Sequence, residues 1–407
     1  MTTEIRPIED GEFAAWLRAL HVAFFQDRDA EAEAAFRRPF TDLRRCLGAF
    51  EAGRVVGTFR SLPTTLSVPG GGTVAADAIT AVTVLPTHRR RGLLRSMMNR
   101  DLAGAAERGE PIAILIASEY PIYGRYGFGV ATEHATYAID TPAVRFAREA
   151  TGTVELVEPV AARAIGPEVY EAFRRSRAGS IARRDITWDV QLGLVSVPGD
   201  QPWKGRVVLG RDASGAPDGL LRYHVEDRWE ERLPRATLHV DDLLATTPDA
   251  EQRLWEYACG VDLVATVNAP DRPVDEILPW LLVDARAVRC THRADMLWVR
   301  TLDPATALAA RTYATAGRLV IALDDPERHA GSRFALDGGP DGASCARTSA
   351  GADLVTGVAA LGAAYLGGVP WRTLAAAGVV AERRAGALAT ADAMFTTWPA
   401  PYDATWF

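Results

Sequence analysis

Ala81-Val82-Thr83-Val84-Leu85-Pro86-Thr87-His88-Arg89-Arg90-Arg91-Gly92-Leu93-Leu94 is the stretch on which the reading of the chain turns. From Ile79 to Leu85 it is dense in Val, Ile, Leu and Thr, residues that suit a pleated, half-buried surface, so it reads as a strand. Pro86 has no N–H to give to a ladder and ends it. Arg89 to Gly92 make a basic turn. Helical spacing then starts at Leu93, Leu94, Met97, Met98 and Leu102 and runs to about Arg108. Strand, turn and helix in this order bring free N–H groups and the positive end of the helix dipole beside the arginines. Cations at a helix start destabilise the helix, and an anionic ligand such as a pyrophosphate relieves that cost. Taken alone, the same residues also fit a solvated basic turn before an amphipathic helix.

Downstream, Ile112-Ala113-Ile114-Leu115-Ile116-Ala117 is a continuous apolar run, the pattern of a buried strand. Paired in parallel with the strand before the helix, it makes a β-α-β unit. Directly after it stands Tyr120-Pro121-Ile122-Tyr123-Gly124-Arg125-Tyr126-Gly127-Phe128-Gly129. Upstream, Phe13, Trp16, Leu17, Leu20 and Phe24 recur at helical spacing. Gln26 to Arg38 carries Asp27, Asp29, Glu31 and Glu33, which read either as a solvated helix face or as an acidic loop that guides a cationic amine. Arg45 to Phe50 and Val55 to Ser61 read as a hairpin about Glu51-Ala52-Gly53-Arg54. Thr64 to Val68 reads as a further strand that ends at Pro69-Gly70-Gly71-Gly72.

Size and composition bound the rest. A chain of 407 residues has room for two or three domains, and 48% apolar with 24% charged residues is ordinary for a globular protein. A net charge of −7 argues against nucleic acid as a partner and is compatible with a cationic small substrate. Cys46, Cys259, Cys290 and Cys345 show no paired spacing and read as reduced thiols of a cytoplasmic protein. Met1 to Gly11 does not read as a signal peptide. The longest small-apolar run, Val355 to Val369, is too short to span a bilayer, so no membrane insertion is expected. Dispersed histidines, with no His-Glu-x-x-His and no Cys-x-x-Cys, lead us to expect no metal site. Neither a Gly-x-Ser-x-Gly elbow nor a dinucleotide glycine fingerprint is present.

Arg89-x-x-Gly92 followed, after an intervening strand, by Tyr123-x-x-x-Gly127-Phe128 resembles the two signatures of the GNAT acyltransferase superfamily. Leu94 stands where that superfamily usually has Gly or Ala, which leaves less room beside the phosphates. The wording is narrower still. Leu85-Pro86-Thr87-His88-Arg89-Arg90-Arg91-Gly92-Leu93-Leu94-Arg95, Ala117-Ser118-Glu119 and Ile122-Tyr123-Gly124-Arg125 are similar to the Eis family, the enhanced intracellular survival acetyltransferases. Arg183 with Trp188 resembles a patch of that family's second region. Tyr365-Leu366-Gly367-Gly368 with Leu374-Ala375-Ala376-Ala377-Gly378 resembles its third, and Phe407 matches its terminal aromatic.

The resemblance implies a mixed α/β (α+β) protein: a catalytic GNAT domain over 1–150, a second GNAT-like domain without a coenzyme site over 151–290, and a domain shaped like a sterol carrier protein over 291–407. Strand-like runs at Arg206 to Gly210, Leu220 to His224, Ala236 to Leu244 and Leu263 to Val267, with a helix-like Asp249 to Ala258 between the last two, fit the second domain; no Arg-x-x-Gly opens that helix. Leu297-Trp298-Val299-Arg300 is expected to begin the third. A helix near Asp303 to Tyr313, strands near Gly317 to Leu323 and Arg333 to Asp337, and Ala-rich helices from Ala352 onward follow.

The implied chemistry is N-acetyl transfer from acetyl-coenzyme A, as cosubstrate, to an amine such as an aminoglycoside, a polyamine or a lysine side chain. The implied assembly is a homo-oligomer, a hexamer in the family. By position, Val82, Thr83, Val84, Arg89, Arg90, Gly92, Leu93 and Ser118 bind the coenzyme, with a backbone N–H near Val82 as oxyanion donor. Tyr123 is the candidate general acid for the departing thiolate. Phenol and thiol ordinarily differ by only about 1.5 pKa units, so this transfer is not steeply uphill. The family's base is the terminal carboxylate, here on Phe407. Trp398, Tyr402, Trp406 and Phe407 crowd the end of the chain, more like a docked tail than a frayed one. Phe24, Asp27, Phe36 and Trp406 are the expected amine-pocket residues, although Phe24 and Phe36 read equally well as helix-core packing. The competing functions are a lipid or sterol binder with a silent GNAT unit, and a structural assembly protein. Intact Arg89-x-x-Gly92 and Tyr123 weigh against silence.

Overall fold

Apolar patterns of period two and period 3.6 alternate along the early chain, and the elements follow them. The computed structural model describes residues 3–326 and 331–407. Its first elements are β1 (Glu4–Pro7), α1 (Phe13–Phe24), α2 (Ala30–Arg37), β2 (Cys46–Glu51), β3 (Arg54–Ser67), β4 (Thr73–Val84), α3 (Leu93–Glu107), β5 (Ile112–Ile116), α4 (Tyr120–Tyr123) and β6 (Gly129–Val130). The middle of the chain adds β7 (Glu133–Asp140), β8 (Thr153–Val157), α5 (Pro159–Ser176), α6 (Asp185–Gln191), β9 (Arg206–Arg211), β10 (Pro217–Glu226), β11 (Trp229–Glu230), β12 (Leu233–Pro234), β13 (Ala236–Ala245), α7 (Pro248–Cys259), β14 (Val264–Arg272), α8 (Leu278–Leu281) and β15 (Val288–Asp295). The last part holds β16 (Leu297–Thr301), α9 (Pro304–Ala309), β17 (Gly317–Asp324), β18 (Ser332–Gly339), β19 (Gly342–Arg347), β20 (Leu354–Gly357), α10 (Val358–Ala364), α11 (Trp371–Ala376), β21 (Val380–Glu382) and α12 (Ala387–Phe395).

Three sheets carry the molecule: β1-β2-β3-β4-β5-β16-β6, β15-β7-β14-β13-β10-β9-β8, and β19-β18-β17-β20-β21. On one face of the first, Phe13, Trp16 and Leu17 of α1 pack with Cys46 and Phe50. On the other, Leu93, Met97, Met98 and Leu102 of α3 pack with Leu47, Phe59 and Ile79. The β-α-β unit is present, with β4 and β5 parallel from Ala76↔Ile112 to Ile79↔Leu115.

Three expectations need correction. Val55 to Ser61 and Thr64 to Val68 are one strand, β3, running through Pro63. β2 stops pairing at Cys46↔Arg60, so Pro63 lies where β3 needs no donor on that edge. Beyond it, the main chain of Thr65 and Ser67 bonds instead to Gly179, Ser180 and Ala182.

The sheets also cross the expected boundaries at 150 and 290. β7 lies within the expected first domain yet pairs with β14 and β15 in the second sheet. β16, expected to open the third domain, inserts between β5 and β6 in the first sheet. The apolar β5 needs a partner on both edges to bury its main chain, and the wholly buried β16 supplies it. Arg300, on β16, then ties this sheet to the third unit by bonding both carboxylate oxygens of Asp325, at 3.0 and 2.9 Å.

Lastly, Leu354 to Gly357, within the expected Ala-rich helices, is the strand β20, parallel to β17, and the helices begin after it. Helices α5 and α6 are additions to the expected elements. The period of Ala162, Val169, Tyr170 and Phe173 on α5 is the signal that was there to find.

Candidate active site

The site begins where β4 and β5 part. Their pairing ends at Ile79↔Leu115, β5 stops at Ile116, and β4 runs on to Val84 with no strand paired on that edge among the described residues. A bulge sharpens the divergence: Ala81 and Val82 oppose only Phe59, and Ala81 takes a left-handed φ of 52°. Thr58 fixes the bulge, its hydroxyl bonding the Ala81 carbonyl at 2.8 Å and the Thr83 hydroxyl at 2.7 Å. Leu85 donates its N–H to Val56 on the β3 side, so strand alternation turns the main-chain groups of Val84, and of Val82 before it, into the gap. Arg89 Nε meets the Val84 carbonyl there at 3.4 Å.

Below the gap lies the basic turn. Gly92 opens α3 with φ 78° and no side-chain cap, and a Cβ added there would meet nothing within 4 Å. The first-turn N–H groups of α3 therefore face open space. Of the three arginines in the turn, Arg89 and Arg90 line this space. Arg91 is turned away to Glu51, at 3.2 Å, and to the Thr87 carbonyl. A cleft of about 680 Å³ runs from here to the gap. Val82, Thr83, Val84, Arg89, Arg90, Gly92, Leu93, Ser118 and Tyr123 all line it, as does Phe24 at the end of α1. Leu94 lines it too and packs against the core below. Arg95, Glu119 and Arg125 were not anticipated and also line it; Arg95 follows directly from the helical turn. Two cations, a helix start without a cap and an unpaired strand edge fit a ligand with a diphosphate at one end and an amide-bearing arm.

Tyr123 sits at the far end of the cleft, on α4. Its ring is 8% exposed and packs edge-on to Phe128, with centroids 6.4 Å apart. Its hydroxyl has no hydrogen-bond partner among the described residues. Burial, with Glu119 and Tyr126 adding to it, pushes its pKa up to about 12. Gly127 makes the turn after it with φ 80°, where a side chain would collide with Arg300.

The end of the chain comes to the same gap. Thr80, the first β4 residue past the paired stretch, donates its hydroxyl to the main-chain oxygen of Phe407 at 3.1 Å. The preceding tail is held at every step. Tyr402 N–H bonds the Ala178 carbonyl at 2.8 Å, and Ser180 Oγ bonds the Tyr402 carbonyl at 2.8 Å. Arg183 donates to the Ala404 carbonyl at 3.0 Å and to Thr405 Oγ1 at 3.1 Å. Arg183 is itself fixed by Asp242 at 2.6 Å and stacks on Tyr170 and Trp188, so the Arg183–Trp188 patch works as the tail's seat. Asp403 is buried here. Its Oδ1 accepts from the N–H of Thr405 and of Ile181, and Oδ2 has no partner among the described residues. Burial pushes its pKa up to about 7, against the pull of Arg183.

The expected amine pocket is not one pocket. Only Phe24 reaches the cleft; Phe36 lines a separate groove and Trp406 another, beside Asp271 and Tyr402. Asp27 is exposed and lines none of these. The acidic run around it is largely structural. Asp29 caps α2, Glu31 pairs with Arg18 at 2.8 Å, and buried Glu33 bonds His21 at 2.8 Å and Arg37 at 2.5 Å. Among the described residues no group of three or more His, Cys, Asp or Glu is placed to hold a metal ion, and no helix is long and apolar enough to cross a membrane.

Comparison with known proteins agrees with this fold. Residues 4–131 and 179–301 each match a family described as an acetyltransferase (GNAT) domain, and residues 304–403 match the sterol carrier protein domain. The chain is 44% identical over 411 residues to an uncharacterized N-acetyltransferase of Streptomyces griseus, covering 99% of each. It is 35% identical over 357 residues to the N-acetyltransferase Eis of Mycobacterium tuberculosis, covering 86% of this chain and 85% of that one. Among solved structures, Eis1 from Mycobacterium abscessus superposes with a TM-score of 0.87 at 34% identity, covering 99% of this chain and 100% of that one. A GCN5-related N-acetyltransferase from Anabaena variabilis, 18% identical, shares the fold with a TM-score of 0.85 over 100% of both chains. With two GNAT units, a sterol-carrier-like unit and these relatives along its length, the chain belongs to the Eis family of GNAT N-acetyltransferases.

Proposed function

We propose that this N-acetyltransferase passes the acetyl group of acetyl-coenzyme A directly to an amine in a single ternary complex. The acceptor is a cationic small molecule of the aminoglycoside or polyamine kind, or a lysine side chain. Arg89, Arg90 and the N–H groups at the start of α3 hold the pyrophosphate, and the unpaired edge of β4 holds the pantetheine arm. The Val82 N–H faces the thioester carbonyl as oxyanion donor, a contact of a kind worth about 2.7–4 kcal/mol.

An alkyl amine with a pKa near about 10.4 arrives protonated and must lose a proton to attack. The carboxylate of Phe407 takes it, directly or through a water. The C–N bond forms, the C–S bond breaks, and the departing thiolate receives the Tyr123 proton. At about 12 the phenol lies about 3.5 pKa units above a thiol, rather than about 1.5, so a complete transfer is uphill by about 5 kcal/mol. That fits inside the barrier of about 16 kcal/mol for a turnover of about 10 per second. The same burial keeps the phenol protonated until the thiolate forms.

One observation carries the reading: the Phe407 oxygen lies on Thr80, at the point where the two strands part. Adding a few residues after Phe407 tests it. Thiol release with an amine panel should fall by about 100-fold or more, with acetyl-coenzyme A still bound. An extended enzyme with full turnover overturns the assignment of the base. A cytoplasmic homo-oligomer, a hexamer by family, completes the proposal, and sedimentation of the pure protein tests the assembly. The intact cleft gives no support to a lipid binder with a silent GNAT unit.

A further inference from the structure

On the α1–α2 face of the first sheet, outside the cleft, a groove of about 170 Å³ separates α2 from α6. Phe36, Phe40, Ile186 and Val190 make it apolar, and Arg37, Arg60 and Arg184 also line it, close enough that the charges of Arg184 and Arg37 act on Arg60. Arg37 is committed to Glu33 at 2.5 Å. Arg60 is not committed to anything. Only 8% of it is exposed, its Nε is buried without a partner, and no hydrogen bond or ion pair reaches its guanidinium nitrogens among the described residues. Buried arginines are normally paired, because an unpaired buried charge is costly. Burial, then the like charges of Arg184 and Arg37, push the Arg60 guanidinium down to about 10 despite the opposing influence of Cys46. Such a cation facing a groove is a place made for an anion.

Its position says which anion. Arg60 stands directly opposite Thr80 in the β3–β4 ladder, so the two side chains leave the sheet on the same face, and Thr80 is the residue that holds the Phe407 oxygen. The groove therefore borders the acceptor end of the site, on the side away from the coenzyme cleft. We propose that it is the acceptor's carboxylate subsite: Arg60, flanked by Arg184 and Arg37, holds the carboxylate of an amino acid or a peptide C-terminus, its apolar stem lies on Phe36 and Phe40, and its amine is the one acetylated. This rests on the acetyl-transfer reading above. Within that reading it deepens the lysine branch, favouring an amine that also carries a carboxylate over its uncharged carboxamide. Phe36 thus returns as an acceptor residue, on a different groove from Phe24.

The test compares amino acids such as lysine and phenylalanine with their carboxamides, which differ only in that charge. The wild-type enzyme should favour the acids in kcat/KM by about 10- to 100-fold, the range expected for a charge-assisted contact. Arg60→Met should collapse the ratio to about 1, and Arg184→Ala should lower it several-fold. Should Arg60→Met fail to fold, the exposed Arg184→Ala carries the same test. A ratio near 1 in the wild type, or one unchanged in both variants, overturns the subsite. Calorimetry with Nα,Nε-diacetyl-lysine, which cannot react, reads binding alone. It should bind the wild type at least about tenfold more tightly than its carboxamide, and Arg60→Met should erase the difference. If no amine is acetylated but this binding holds, the transferase reading fails and the subsite stands. If carboxamides are acetylated as fast as acids, only the subsite fails.

Discussion

In both GNAT-like units a helix crosses between two parallel strands that then part: β4 and β5 about α3, β13 and β14 about α7. In the first unit the gap past Ile79 is open and continues into the cleft. In the second, pairing ends at His239↔Asn268, and the gap beyond is filled. Arg272 reaches across to the Leu243 carbonyl at 2.7 Å, and Tyr402 of the tail donates to the Asp271 carbonyl at 2.5 Å. The helix starts differ in the same sense. Gly92 leaves α3 uncapped, whereas the Thr247 hydroxyl accepts from the Ala250 N–H, with Pro248, Asp249 and Glu251 in the first turn of α7. A threonine oxygen and two carboxylates already supply what a pyrophosphate would bring. In the second unit, then, the chain's own groups fill the gap that the first unit leaves open. Its filled gap has become the floor on which the tail lies on its way to the open one.

That contrast can be broken at three points. The largest effect should come from Tyr123→Phe in the open unit. Turnover should drop by about 100- to 10,000-fold while the KM for acetyl-coenzyme A moves little. Steady-state kinetics check this, and full turnover removes the general-acid role. Next comes Arg272→Met in the closed unit. Arg272 is buried with Glu276 at 2.8 Å and Glu251 at 3.1 Å, so its loss strands the buried Glu276 carboxylate and should cost about 3–5 kcal/mol in a denaturant titration. An unchanged midpoint would show that the gap is closed by something else.

The smallest effect concerns the tail's seat. Asp403 is raised from 3.8 to about 7, so the folded chain holds a proton there that the unfolded chain has released. Stability is favoured at low pH and is lost as pH rises from about 4 to about 7, by at most about 4 kcal/mol, with little further change above. Asp403→Asn keeps the acceptor oxygen and removes this loss. Its melting temperature should gain on the wild type between pH 5 and pH 8. A constant difference would mean that the carboxyl is not buried as described.

The open unit is legible in the sequence because its parts are contiguous. Pro86 ends a strand, Gly92 starts a helix and Ile112 to Ile116 is apolar throughout, so strand, helix and strand lie close to where the residues suggest. What is not legible depends on partners far along the chain. Leu297 to Thr301 reads as a strand, but nothing in five residues says that it will join β5 rather than its own neighbours. Glu33 reads as a surface acid, and only the folded α1 brings His21 over it. Aromatic spacing puts Phe24 and Phe36 on helices without saying that they face different grooves. Arg60 gave no signal at all, because a missing partner has no motif.

The insertion of β16 bears on how the protein is made. The first sheet borrows its sixth strand from residues 297–301, so β5 stays bare along one edge until the ribosome has passed Thr301. During that interval an apolar strand with free N–H and C=O groups is a template for any passing chain. A fragment cut at 131, where the first family match stops, would carry that exposure permanently, and should aggregate rather than serve as a minimal enzyme.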